Sequence, residues 1–114
     1  MSIQEDIAQL EQNIPLLDEA IERKKLAESL LTNRAFKRLI LDEYFVTEAA
    51  RLVQMSGDIR LSQLDREHAL AMAQATGHLK RYLSSIVQMG NVAQNDKDVA
   101  LTTLDELRAV EVED

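Results

Sequence analysis

The side chains able to do chemistry are few and scattered. His68 and His78 are the only two histidines, and there is no cysteine. A zinc site on a helix needs two ligands four residues apart, and a zinc finger needs its own fixed spacing; the two histidines fit neither. Asp65 and His68 share a helix face, which allows a weak ion pair. Asp42, Glu43 and Glu48 offer carboxylates. They could act as acid and base only if a pocket brought carboxylates together across helices. The sequence lacks the Glu-x-x-His of di-iron bundles, the phosphate-cradling Gly-x-x-x-x-Gly-Lys-Ser/Thr loop and the Gly-x-Ser-x-Gly elbow. These residues predict a protein that is not an enzyme and holds no metal or cofactor. Without thiols, disulfides and thiolate chemistry are excluded, and a reducing compartment fits.

Charge is the next guide to partners. The formal net charge is −7. A nucleic-acid binder normally presents a basic domain, so the balance argues against nucleic acid. The charges are banded. Glu5, Asp6, Glu11, Asp18 and Glu19 come first, with no base among them. Arg23, Lys24, Lys25, Arg34, Lys37 and Arg38 follow, against Glu28 alone, and the chain is acidic again from Asp96. One reading is a solvated face whose charges are balanced in the fold. The other is a contact surface for an acidic segment, such as the N-terminus of another copy placed head to tail. The six cations are the candidates for that contact. Their two clusters would meet if the helices carrying them formed an antiparallel hairpin.

The elements that position these residues all read as helices. Asn33 to Val53 holds both Phe residues, Phe36 and Phe45, and one of the two Tyr, Tyr44. Phe36, Leu39, Ile40, Tyr44, Val46, Ala50 and Val53 recur at helical spacing, which predicts a wide buried stripe. With so few aromatics in the chain, other helices should pack around this one. Thr32 or Asn33 caps it, and Gly57 suits a left-handed stop after about Met55.

Ahead of it, Ser2 and Glu5 form a capping box. Ile3, Ile7, Leu10, Ile14, Leu17 and Ile21 then follow at spacings of four and three. Ile at one heptad position and Leu at the other favours parallel two-stranded pairing, with the seam stopping at Lys24. These six are the self-association candidates; the other reading packs the strip on its own domain. Pro15 lies inside the strip and predicts a kink, or a stop and restart.

Ser62 with Asp65 opens a further helix to about Met89. Its apolar positions are Ala69, Met72, Ala75 or Thr76, Leu79, Tyr82 or Leu83, Ile86 and Met89. Small residues up to Gly77 predict a tight crossing there, and Gly90 predicts the helix end. A last short helix, about 98 to 110, puts Leu101, Leu104 and Leu107 on one face.

Asn33-Arg34-Ala35-Phe36-Lys37, Leu39-Ile40-Leu41, Tyr44-Phe45, Glu48-Ala49 and Arg51-Leu52-Val53 resemble a group of short helical proteins encoded by tailed bacteriophages. Ala75-Thr76-Gly77-His78-Leu79-Lys80-Arg81-Tyr82-Leu83 looks like the second helix of that group. The resemblance covers about residues 30 to 90 and is more specific in its first half. Glu43 stands where the pattern has Gly. Such proteins are often encoded among virion-structure genes, so the resemblance implies a role in the capsid or its assembly, with a head-to-tail connector as a sub-case.

The expectations are therefore these. The fold is all-α: a long helical hairpin (about 33–55 and 63–89), an N-terminal heptad helix kinked at Pro15, and a short C-terminal helix. One domain spans 1–114, with 1–31 as a self-association or partner-binding arm. Partners are other copies and other virion proteins, not nucleic acid or membrane. No run approaches the about 20 apolar residues of a membrane span, and the start MSIQED lacks the features of a signal peptide. The expected place is the virion or the host cytoplasm. The alternative function is a small acidic phage protein that binds and modulates a host factor.

Overall fold

The computed structural model describes residues 2–113, and they form helices joined by short turns, with no strand among them. α1 is Ile3–Leu31, α2 is Arg34–Phe36, a π-helix covers Lys37–Glu48, α3 is Ala49–Ser56 and α4 is Gln63–Glu113. The all-α expectation holds. Asp114, the last residue of the acidic tail, lies outside the described residues.

Local signals set the helix starts. Ser2 Oγ accepts from Glu5 N–H at 3.1 Å, and Ser2 N–H donates to Glu5 Oε2 at 3.3 Å. This is the reciprocal capping box read from the sequence. Asn33 Oδ1 accepts from Phe36 N–H at 3.0 Å, and Ser62 Oγ accepts from Asp65 N–H at 3.1 Å. Each satisfies a donor that the first helical turn leaves without a carbonyl partner.

At Pro15 α1 continues as one helix, without the stop and restart. An interior Pro costs a helix about 3 kcal/mol against Ala. The later helix ends differ from expectation. α4 has 51 residues and does not stop at Gly90. The short C-terminal helix is therefore the distal part of α4. Gly57 ends α3 at φ −100°, not in the left-handed region. The turn is held instead by Asp58, whose Oδ1 accepts from both Arg60 N–H and Nε–H at 3.0 Å.

Contacts divide the chain into two compact units. The terminal unit joins α1 up to Leu26 with α4 from Ile86 onward, and the central unit is 27–85. Residues 1–26 thus share the terminal unit with α4.

In the terminal unit the two segments run antiparallel, because low numbers meet high ones. Glu11 pairs with Arg108 at 2.7 Å, and Asp18 pairs with Lys97 at 2.5 Å. Ile21, Ile86, Gly90, Ala93, Ala100 and Leu104 are buried; Ile3, Ile7, Leu10, Ile14 and Leu17 are half-buried. Seven covered positions on α4 (86, 90, 93, 97, 100, 104, 107) repeat the four-and-three spacing of the α1 strip, with Val87 and Thr103 half-buried beside them. Two helices with that spacing interlock side chains along one seam. The seam does not stop at Lys24. A Cβ at Gly90 would collide with Lys24 Cβ and stand 2.8 Å and 2.9 Å from its Cγ and Cδ. Gly90 is therefore the close approach, and the Lys24 stem lies in the space a side chain would fill. Gly77 is not a crossing: no atom lies within 4 Å of where its Cβ would stand.

The central unit is thinner. Its buried residues are Ala27, Leu52, Ala69, Thr76 and Leu83. The stripe expected on 33–53 is corrected. Phe36, Ile40 and Tyr44 are half-buried, but Ala50 and Val53 are exposed, as are Leu39 (57% accessible) and Val46 (61%). Only Leu52 of this stretch is buried. The reason is the winding. A π-helix bonds i to i+5, so a turn takes more residues than in an α-helix. Adjacent pairs then reach the covered side together: Ile40 with Leu41, Tyr44 with Phe45, Glu48 with Ala49. The same winding sets Thr47 Oγ1 3.5 Å from the Asp42 carbonyl, and Arg38 3.8 Å from Glu43, each five residues apart.

Candidate interaction surfaces

The six heptad residues lie on α1 in the terminal unit, where α4 of the same chain supplies the matching seam. Ile21 is buried and the other five are half-buried. The cations fall into two sets. Arg23, Lys24 and Lys25 belong to the terminal unit; Arg34, Lys37 and Arg38 belong to the central unit. Arg34, Lys37 and Arg38 are exposed at the start of the α2 and π-helical segment. Arg38 reaches back to Glu43, a contact between exposed groups that contributes little.

Two open depressions flank the π-helix. One of about 520 Å³ is lined by Leu39, Glu43, Tyr44, Thr47 and Glu48. The other, of about 510 Å³, is lined by Arg34, Ala35, Arg38, Leu39 and Glu43. Neither converges polar groups on one point. Glu48 is engaged by Arg51, whose Nε donates to Glu48 Oε2 at 2.9 Å. That hydrogen bond holds the Glu48 carboxyl below the usual carboxylate range, against a small opposing effect of burial. Asp58 is lowered in the same way by Arg60.

His68 and His78 are both exposed on α4. Among the described residues, no group of three or more His, Asp or Glu could hold a metal ion. No described helix is long and apolar enough to cross a membrane.

The surface that sequence reading missed is on α4. Periodicity gave one apolar set there, but the structure splits it. Ala69, Thr76, Leu83 and Ile86 are buried, while Met72, Ala75, Leu79, Tyr82 and Met89 are exposed. Met72 is 50% accessible and Tyr82 56%. A second signal was present in the residues themselves. Between Glu67 and Asp96 the helix carries only two charged residues, Lys80 and Arg81, in a chain that is 29% charged. Interface centres show this composition: depleted in charge, with Met and Tyr enriched.

No known protein family, curated protein or solved structure matches this chain.

Proposed function

We propose that this chain is a non-enzymatic structural or assembly protein of a tailed bacteriophage. It works through protein–protein contacts, as a helical module that associates with itself and docks on other virion proteins, capsid-associated or connector-like. The observation that carries the contact part is the uncharged face of α4, where Met72, Leu79 and Tyr82 share one side of the helix and stay exposed. Single exposed apolar residues are ordinary, whereas several on one face mark a surface made for a partner. The phage part rests on the resemblance of Asn33–Val53 described above. The virion, or the host cytoplasm during assembly, is the place this reading implies.

Mass spectrometry of purified particles, from a phage whose genome carries this sequence, tests it. The expected result is a component present in many copies. Absence from particles, together with recovery of a host protein on the tagged chain from infected cells, would replace it with the host-factor reading.

A further inference from the structure

The central unit has a thin core: two leucines, two alanines and a threonine are the residues buried across 27–85. The exposed side of its π-helix is ordered by charge. A π-turn takes between four and five residues, so each side chain stands over those four and five positions further on. Arg34 thus shares a line with Arg38 and Leu39, these with Glu43, and Glu43 with Thr47 and Glu48. The two depressions follow the same line. Arg34, Arg38, Leu39 and Glu43 border one, and Leu39, Glu43, Thr47 and Glu48 border the other. Along the helix this face is basic at its start, apolar at Leu39, which is 57% accessible, and acidic beyond.

We propose that this face is the contact between two copies of the chain, packed antiparallel about a two-fold axis between positions 39 and 42. About that axis position 38 of one copy meets position 43 of the other, and position 34 meets positions 47 and 48. Arg38 lies 3.8 Å from Glu43 of its own chain. The axis turns this pair into a ring of four alternating charges, with the two Leu39 side chains beside it. One exposed ion pair contributes little, whereas a network around an apolar centre contributes more. Two observations select a second copy over another partner. The first is the order of the charges. A two-fold contact sets a surface against itself, so each group must meet its opposite. Turned end for end, a face that runs basic, apolar, acidic is its own complement, and the groups concerned border the same two depressions. The second is where the net charge of −7 resides. The terminal unit holds 13 of the 20 acidic residues and 5 of the 13 basic ones, and the central unit holds the other 7 and 8. Two copies therefore repel through their terminal units and meet most easily through their central ones.

The proposal rests on the reading of the chain as a self-associating module, but its test does not depend on particles. Light scattering after size exclusion should give twice the chain mass for the natural protein, and added salt should weaken the dimer by screening the ring of charges. Arg34→Glu with Arg38→Glu makes the face acidic, and Glu43→Lys with Thr47→Lys makes it basic. Each variant alone should dimerise about tenfold or more weakly, with helical content retained, because all four positions are exposed. Mixed in equal amounts, the two variants should return to the double mass as a heterodimer. Mixing cannot repair an ion pair within one chain, so that recovery reports a contact between chains. The chain has no cysteine, so Leu39→Cys supplies one thiol per chain. It should form a disulfide-linked dimer under mild oxidation, whereas Ala50→Cys, exposed on α3 and far from the axis, should not. A natural chain that stays at single mass at every concentration would overturn the proposal. So would variants that remain single when mixed, or equal cross-linking at positions 39 and 50. If either pair of substitutions unfolded the chain, the cross-link alone would decide. A single-mass chain found in many copies in particles would sink this surface alone. A dimer absent from particles would sink only the phage assignment.

Discussion

The terminal and central units are both helical, yet they are held differently. In the terminal unit, two seams of matched spacing meet, and ion pairs tie residues far apart in sequence: Glu11 to Arg108 and Asp18 to Lys97. In the central unit, ion pairs join close neighbours in sequence: Arg38 with Glu43, Glu48 with Arg51, Asp58 with Arg60. One partner segment there is wound as a π-helix, so its large side chains spread around the helix. The lesson is that repeat spacing is useful only where both partners share it. Where they do not, apolar side chains are left over, and they become surface.

That contrast can be broken at its strongest point. Leu104 is 2% accessible, the most deeply buried large side chain described. Leu104→Ala should cost about 2–5 kcal/mol in chemical denaturation. A cost below about 1 kcal/mol would mean that the terminal seam is not a packed core.

The two mid-helix glycines sharpen the comparison by sign. Gly90→Ala should destabilise by about 1–3 kcal/mol, since the new methyl meets the stem of Lys24 and not a mobile end. Gly77→Ala should stabilise by about 1 kcal/mol, since its space is open. Thermal melts of the two variants moving in the same direction would contradict the assignment of Gly90 as the contact.

Tyr44→Ala tests the looser unit. A buried aromatic would cost about 3–5 kcal/mol. Tyr44 is only half-buried on the π-helix, so the expected loss is about 1–2 kcal/mol. A loss in the higher range would show the central unit to be better packed than its burial suggests.

The smallest effect is with pH. Glu48 and Asp58 both sit below the usual carboxylate range, through hydrogen bonds from Arg51 and Arg60. A carboxyl whose folded value is lowered stabilises above its unfolded value, and that contribution is lost as pH falls through the folded value. Both carboxylates are half-buried with water still reaching them, so the contribution is small. Denaturation midpoints should fall on acidification below the ordinary carboxylate range, and Glu48→Gln should flatten part of that slope. An unchanged slope in Glu48→Gln would remove the Glu48–Arg51 pair from the account.

The candidate surfaces were legible in part. The four-and-three spacing from Ile3 to Ile21 reads as a seam, but spacing cannot tell a second chain from a later helix of the same chain. The exposed face of α4 was hidden for the opposite reason. Met72 and Leu79 were read as core and Ala75 and Tyr82 as alternatives to Thr76 and Leu83, because two apolar stripes on one helix overlap in a linear pattern. The low charge between Glu67 and Asp96 was the signal that could have separated them.

By itself, the sequence determined the helical class and the helix starts. Ser2 with Glu5, Asn33, and Ser62 act within one turn, so their effect needs no distant partner. Tertiary structure decided the rest: which α4 stripe is covered, the exposure of Leu39 and Val46, and the continuation of α4 through Gly90. Gly90 illustrates the reason. A glycine that reads locally as a stop costs a helix only about 1 kcal/mol. The close approach of Lys24, sixty-six positions away in sequence, makes that small penalty irrelevant. Packing between residues so far apart leaves no mark in either local stretch.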